Sequence, residues 1–300
     1  MIDVERARAV IAGRVHRTPM LSSTALGAHL KAELFQKTGS FKARGALNRI
    51  AALDEDERRR GVVTWSAGNH AQAVAWAAAQ LGVDCLVVMW ETASPFKAAA
   101  ARSYGAIVDM SSPDPAVAYE RAVAETERVF IHPHSDPLVV GGHGTLAPEI
   151  LEDVPGVETV VVPVGGGGLI TGIVVGLAGR ARVVAVEPER SRAFAAGLEA
   201  GHSVRVESDT IADGLAPPFA GDLPLEVCRG KVDSVLVSED EIKDGMRFLY
   251  ARAKLACEPA GAAAAAAVLA GKVESGPGTV VLVSGGNAVP EQAAAILAGR

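Results

Sequence analysis

The sequence predicts an α/β chain with two open, mostly parallel sheets, each flanked by helices. Three observations lead there. From residue 61 onward, apolar runs rich in valine alternate with helical stretches. Glycine-bearing turns follow three of the strands, at 66–72, 165–168 and 283–288. The alternation also comes in two blocks, which implies two domains with a cleft between them. Residues 53–136 are expected to form a small mobile domain, and 1–52 with 137–300 a large one.

The elements follow in order. "GVVTWS" (61–66) is a strand, "NHAQAVAWAAAQLG" (69–82) a helix that closes on Gly82, and "VDCLVVMW" (83–90) the next strand. Ser94 and Pro95 supply an N-cap and a first-turn proline for "PFKAAAARSYG". "AIVDM", the helix "DPAVAYERAVAETE" (114–127) and "VFIHP" complete the first block. The second runs "VETVVVPV", "GGGG", "LITGIVVGLAG", "ARVVAVEP". "SVLV" follows, then a capping box of Ser238 and Glu241 opening a helix through about Cys257, and finally the strand in "TVVLVSGGN". "AGAAAAAAVLAG" (260–271) is too short to span a bilayer and reads as a close-packed helix.

Composition removes several function classes. The chain is 49% hydrophobic with a net charge of −6 from 29 basic and 35 acidic residues, which leaves no basic footprint for nucleic acid. Cys85, Cys228 and Cys257 lie far apart with no CxxC pair, so neither a disulfide framework nor a zinc knuckle is expected. "MIDVERARAVIAGR" has no signal-peptide core, and a cytoplasmic protein without membrane partners is expected.

"QKTGSFKARG" (36–45) places Lys42 among turn formers, a setting that a solvated surface lysine does not require. A plain basic loop opening a helix competes with a functional lysine on these ten residues. "SAGNHAQ" (66–72) and Gly165–Gly168 both stand between a strand and a helix, where backbone amides face an anion. A tight packing turn is the rival for the four glycines. GxGxxG fails in register, because its third glycine would fall on Ile170 or Thr171, and no GxxxxGK[ST] occurs.

Taken in order, "TGSFK", "SAGNH", "VPVGGGGL" and "VSGGN", with "HGT" (143–145), "TIADG" (210–214) and "CEPAG" (257–261) between them, resemble the fold type II pyridoxal-phosphate enzymes. The likeness is to their threonine/serine dehydratase and serine racemase branch and covers nearly the whole chain. It implies a tryptophan synthase β-like fold with pyridoxal 5'-phosphate bound in the large domain. Lys42 matches the lysine that joins the cofactor's aldehyde, an amine that must be nucleophilic near neutral pH. Phe41 would pack on one side of the cofactor ring, and Gly165, Gly166, Gly167 and Gly168 would cradle its phosphate. Asn69 would hold its 3'-oxygen and Ser284 its pyridine nitrogen. Ser66, Gly68, Asn69 and His70 belong to the loop that receives the substrate carboxylate, and Arg44 is expected to be structural.

The resemblance implies a dehydratase releasing a 2-oxo acid and ammonia from L-threonine or L-serine, working as a homodimer. A serine racemase, a 3-hydroxyaspartate dehydratase and a non-catalytic protein that binds an amino acid or pyridoxal phosphate are the alternatives. Departures from the pattern matter. "LGAHLK" (26–31) looks shortened, as if a surface turn were trimmed. Glu187 and the Ser191 carbonyl match two ligands of a divalent-cation site whose third ligand is replaced by Ala193. Ala67 stands where the racemases carry a serine that gives a proton. The few residues after Asn287 are expected to leave no room for a C-terminal regulatory domain.

Overall fold

The computed structural model describes residues 1–125 and 127–299. Among the described residues ten strands form two sheets: β1 Met20–Ser23, β2 Ala28–Ala32, β3 Val62–Trp65, β4 Cys85–Trp90, β5 Ile107–Ser112, β6 Val129–Phe130, β7 Thr159–Pro163, β8 Arg182–Pro188, β9 Asp233–Val237 and β10 Thr279–Val283. The larger sheet has the order β1-β2-β10-β7-β8-β9, and the smaller β5-β4-β3-β6. Every pairing is parallel except β1 with β2. Helices cover both faces, so β3 and β10 are buried along their whole length.

The alanine-rich helix Pro259–Leu269 is buried from Pro259 through Val268. Its methyl side chains let it lie close against the larger sheet, where Ala262 to Ala267 join the core around Val161, Val184 and Val281. Among the described residues no helix is long and apolar enough to cross a membrane.

Four local expectations change. "LGAHLK" is no trimmed surface turn: Ala28–Ala32 is an interior strand beside β10, and Lys31 is fully buried. The helix opened by the Ser238–Glu241 capping box stops being α-helical at Phe248 and passes through a wider turn, Leu249–Ala253. It ends at Lys254, whose φ of 62° is left-handed, so Cys257 lies beyond it. Ser94 precedes its helix, but its hydroxyl makes no capping bond. The helix expected over 114–127 ends at Ala124, and Thr126 lies outside the described residues.

Two glycine contacts set the spacing that positions the site. The helix Pro137–Gly144 lies between the helices Lys42–Ala51 and Gly168–Leu177. A methyl on Gly142 would fall 2.5 Å from the Arg44 carbonyl oxygen, and one on Gly172 2.5 Å from the Gly144 amide nitrogen. The backbones therefore touch. Glycine in the "GGHGT" segment fixes how far Lys42 stands from Gly165–Gly168.

Candidate active site

The carboxyl ends of β3, β7 and β10 converge on a cavity of about 280 Å³ between the two sheets. Phe41, Lys42, Ser66, Ala67, Gly68, Asn69, His70, Gly165, Gly166, Gly167, Gly168 and Ser284 all line it. The sequence motifs, scattered over most of the chain, thus meet in one place.

Lys42 is the first residue of its helix. The turn before it is tied to the end of β10 by Phe41 N–H to the Ser284 carbonyl at 3.2 Å and Gly286 N–H to the Gly39 carbonyl at 2.9 Å. Asn287 adds a bond from Nδ2 to the Thr38 carbonyl at 2.7 Å, and Thr38 itself is held at φ 60°. Lys42 Nζ donates to the Pro133 carbonyl at 2.8 Å and stands 5.2 Å from the Phe41 ring centre. The side chain touches the cavity, but protein surrounds the amine, and burial lowers its pKa to about 8. The uncharged, nucleophilic form is thereby brought within reach of neutral pH. The amine of the apo chain should react with an added aldehyde such as pyridoxal phosphate faster as pH rises, about tenfold per unit below 8 and levelling above it. A stopped-flow absorbance series from pH 6.5 to 9.5 checks this, and a profile still climbing at 9.5 would contradict it.

Two helix N-termini present free amides to the cavity. The N–H groups of Gly165 through Ile170 donate to no protein acceptor among the described residues, where β7 leads into Gly168–Leu177. A methyl on Gly167 would meet Pro224 Cβ at 2.5 Å, and its φ of +93° also requires glycine. At the other terminus, where Asn69–Gln80 begins, the amides of Ala67, Asn69 and His70 donate to no acceptor among the described residues, while Gly68 N–H is spent on Ser66 Oγ at 3.1 Å. The site can therefore hold two anionic groups without a cationic side chain.

Asn69 is held from both sides: Nδ2 donates to Glu258 Oε1 at 2.6 Å, and Oδ1 accepts from Asn287 Nδ2 at 2.7 Å. His70 is buried, and its Nε2 reaches the Ile131 carbonyl at 3.2 Å, so Nε2 carries the proton. Burial, reinforced by the Lys42 charge, holds His70 well below the ordinary histidine range and keeps it neutral. Ser284 is buried at the end of β10.

Glu187 and Ser191 lie away from the cavity. Glu187 accepts from Phe194 N–H and Ala195 N–H, both at 2.8 Å, and burial pushes its carboxyl up to about 8 against the pull of those amides. It caps a helix start. No group of three acidic, histidine or cysteine side chains suited to a metal occurs among the described residues.

Glu258, Asn287 and the Lys97–Asp213 ion pair also shape the site, and sequence reasoning assigned them no role. Glu258, Asp213 and Asn287 sit inside motifs already noticed, "CEPAG", "TIADG" and "VSGGN"; nothing in the sequence singles out Lys97. Burial, then the nearby Asp213 charge, raises the Glu258 carboxyl to about 7.

A family model described as pyridoxal-phosphate dependent enzyme matches residues 11–286. The chain belongs to the pyridoxal-phosphate dependent enzymes. Its relatives in this family include the L-threonine ammonia-lyase of Thermotoga maritima, 44% identical over 299 residues, which cover 95% of this chain and 75% of that protein. A serine racemase of Oryza sativa subsp. indica is 40% identical, covering 95% of this chain and 90% of that protein. Among solved structures, the T.th. threonine deaminase superimposes with a TM-score of 0.88 at 40% identity, covering 96% of this chain and 98% of that one. The cofactor of the family, pyridoxal phosphate, fits the residues present. The free amides at Gly165–Ile170 suit its phosphate, and the Lys42 amine suits its aldehyde.

Proposed function

We propose that this pyridoxal-phosphate dependent enzyme is a dehydratase that eliminates water from L-threonine and L-serine, releasing a 2-oxo acid and ammonia. One observation carries the reading: a buried amine, Lys42, shares one cavity with two separate sets of free amides. One set suits a phosphate and the other an amino-acid carboxylate. The threonine ammonia-lyase and threonine deaminase relatives support the choice of substrate.

Bound pyridoxal phosphate supplies an electron sink that stabilises negative charge on the substrate α-carbon. The rest falls to the chain. Gly165–Gly168 would hold the phosphate, with Phe41 beside the ring and Asn69, fixed by Glu258 and Asn287, directing its amide at the 3'-oxygen. Ser284 would meet the pyridine nitrogen with a hydroxyl. A hydroxyl need not keep that nitrogen protonated, so negative charge accumulates less and prompt loss of the β-hydroxyl is favoured. The 66–70 loop would take the carboxylate on its free amides, and Lys42 Nζ would remove the α-proton. In this reading residues 53–136 act as the small unit that closes the loop onto substrate.

The racemase alternative needs a second proton donor, and the cavity presents Ala67 at the position in question. A methyl group neither gives nor takes a proton. Steady-state assay of 2-oxobutyrate from L-threonine and pyruvate from L-serine tests the proposal. Release of neither acid by the cofactor-loaded enzyme would overturn it.

A further inference from the structure

Besides Lys42, the cavity wall carries three charged side chains. Lys97 comes from the helix Pro95–Ser103 beside the smaller sheet and is only 6% exposed. Its Nζ donates to Oδ2 of Asp213, which sits in the turn Asp213–Leu215 on the other side of the cleft. Glu258 is the third, buried next to Asn69. His70 and His134, also on the wall, are held neutral by burial. Among the described residues of the wall, the one cation that is free of the expected cofactor chemistry is thus already matched by a carboxylate, with a second acid nearby.

We infer that Asp213 is a specificity-determining residue: by engaging Lys97 across the cleft, it confines the site to amino acids with an uncharged side chain and turns acidic ones away. This rests on the reading of the cavity as an amino-acid site. A substrate with a second carboxylate would bring a third anion, beyond the two that the free amides can take, and among the described residues of the cavity wall no unmatched cation is offered for it. It would also lie close to Asp213 and Glu258, where like charges repel in a partly desolvated space. Threonine and serine carry no such charge, whereas 3-hydroxyaspartate does. Freeing Lys97 should reverse the preference.

The test is spectrophotometric titration of the cofactor-loaded enzyme with L-2-aminobutyrate and L-aspartate, neither of which carries a β-hydroxyl to eliminate. The ratio of the aspartate to the aminobutyrate dissociation constant should fall about tenfold in Asp213→Asn. That gain should vanish in the double variant Asp213→Asn, Lys97→Met, which keeps most of the length of the buried side chain without its charge. A fall of less than threefold in Asp213→Asn, or a gain that survives in the double variant, overturns the inference. If neither amino acid perturbs the wild-type spectrum, the amino-acid reading fails and the inference with it. Asp213 has a side chain 58% exposed, so its replacement leaves the core intact.

Discussion

Lys42→Ala should fold normally and lose turnover by at least about a thousandfold, because a single amine both anchors the cofactor and moves the α-proton. Its structural contribution is small. Nζ makes one hydrogen bond, to the Pro133 carbonyl, and the helix that Lys42 begins is held by the burial of Ala43, Ala46, Leu47 and Ile50. Far-UV circular dichroism should therefore match the wild type while the oxo-acid assay falls to background. Borohydride reduction of the wild-type enzyme should fix the cofactor on the peptide that contains Lys42. The cavity holds a second lysine, Lys97, so the labelling has a real alternative. Label on Lys97 would overturn the site.

Arg44→Met should destabilise the protein by about 3–5 kcal/mol, the usual result of removing one partner from a buried ionic network. Arg44 is 1% exposed and donates to both carboxylate oxygens of Glu33, each at 2.9 Å, and to both of Glu149, at 2.6 and 3.1 Å. Burial alone would lower its pKa, but Glu33 and then Glu149 outweigh it and raise the value. Without the guanidinium, Glu149 keeps Lys31 at 2.7 Å, whereas among the described residues the Glu33 carboxylate keeps only the Thr18 hydroxyl. A buried carboxylate is left nearly unpaired. The midpoint of urea unfolding, followed by tryptophan fluorescence, should drop clearly. Adding Glu33→Gln should recover part of the loss, since the orphaned charge is then gone. An unchanged midpoint in the single variant would contradict this role.

Much of the fold could be read from hydrophobic patterning because parallel strands buried on both faces announce themselves. "VVVPV", "VVAV" and "TVVLV" have no other reasonable conformation between turns and helical stretches. β2 escaped that reading. Its sequence, "AHLKA", carries a lysine whose burial depends on Glu149, more than a hundred residues away, and no local pattern reveals such a partner. The site shows the same division. Glycine turns and the Lys42 turn are local signals with a chemical reason. Arg44 and Glu33, or Lys97 and Asp213, are ordinary charges until the chain folds and sets them together. Glu187 adds a partner that no motif announces: each of its carboxylate oxygens accepts a backbone amide at the start of the next helix.

Elimination at Lys42 without a proton donor at residue 67 is tested most directly by the products formed from L-serine. Enzyme, cofactor and L-serine are incubated, pyruvate is followed by its absorbance-coupled assay, and D-serine by chiral chromatography. Elimination predicts pyruvate as the dominant product with D-serine a small fraction of it, and a higher D-serine share in Ala67→Ser. D-serine formed by the wild type at a rate comparable to pyruvate would contradict it.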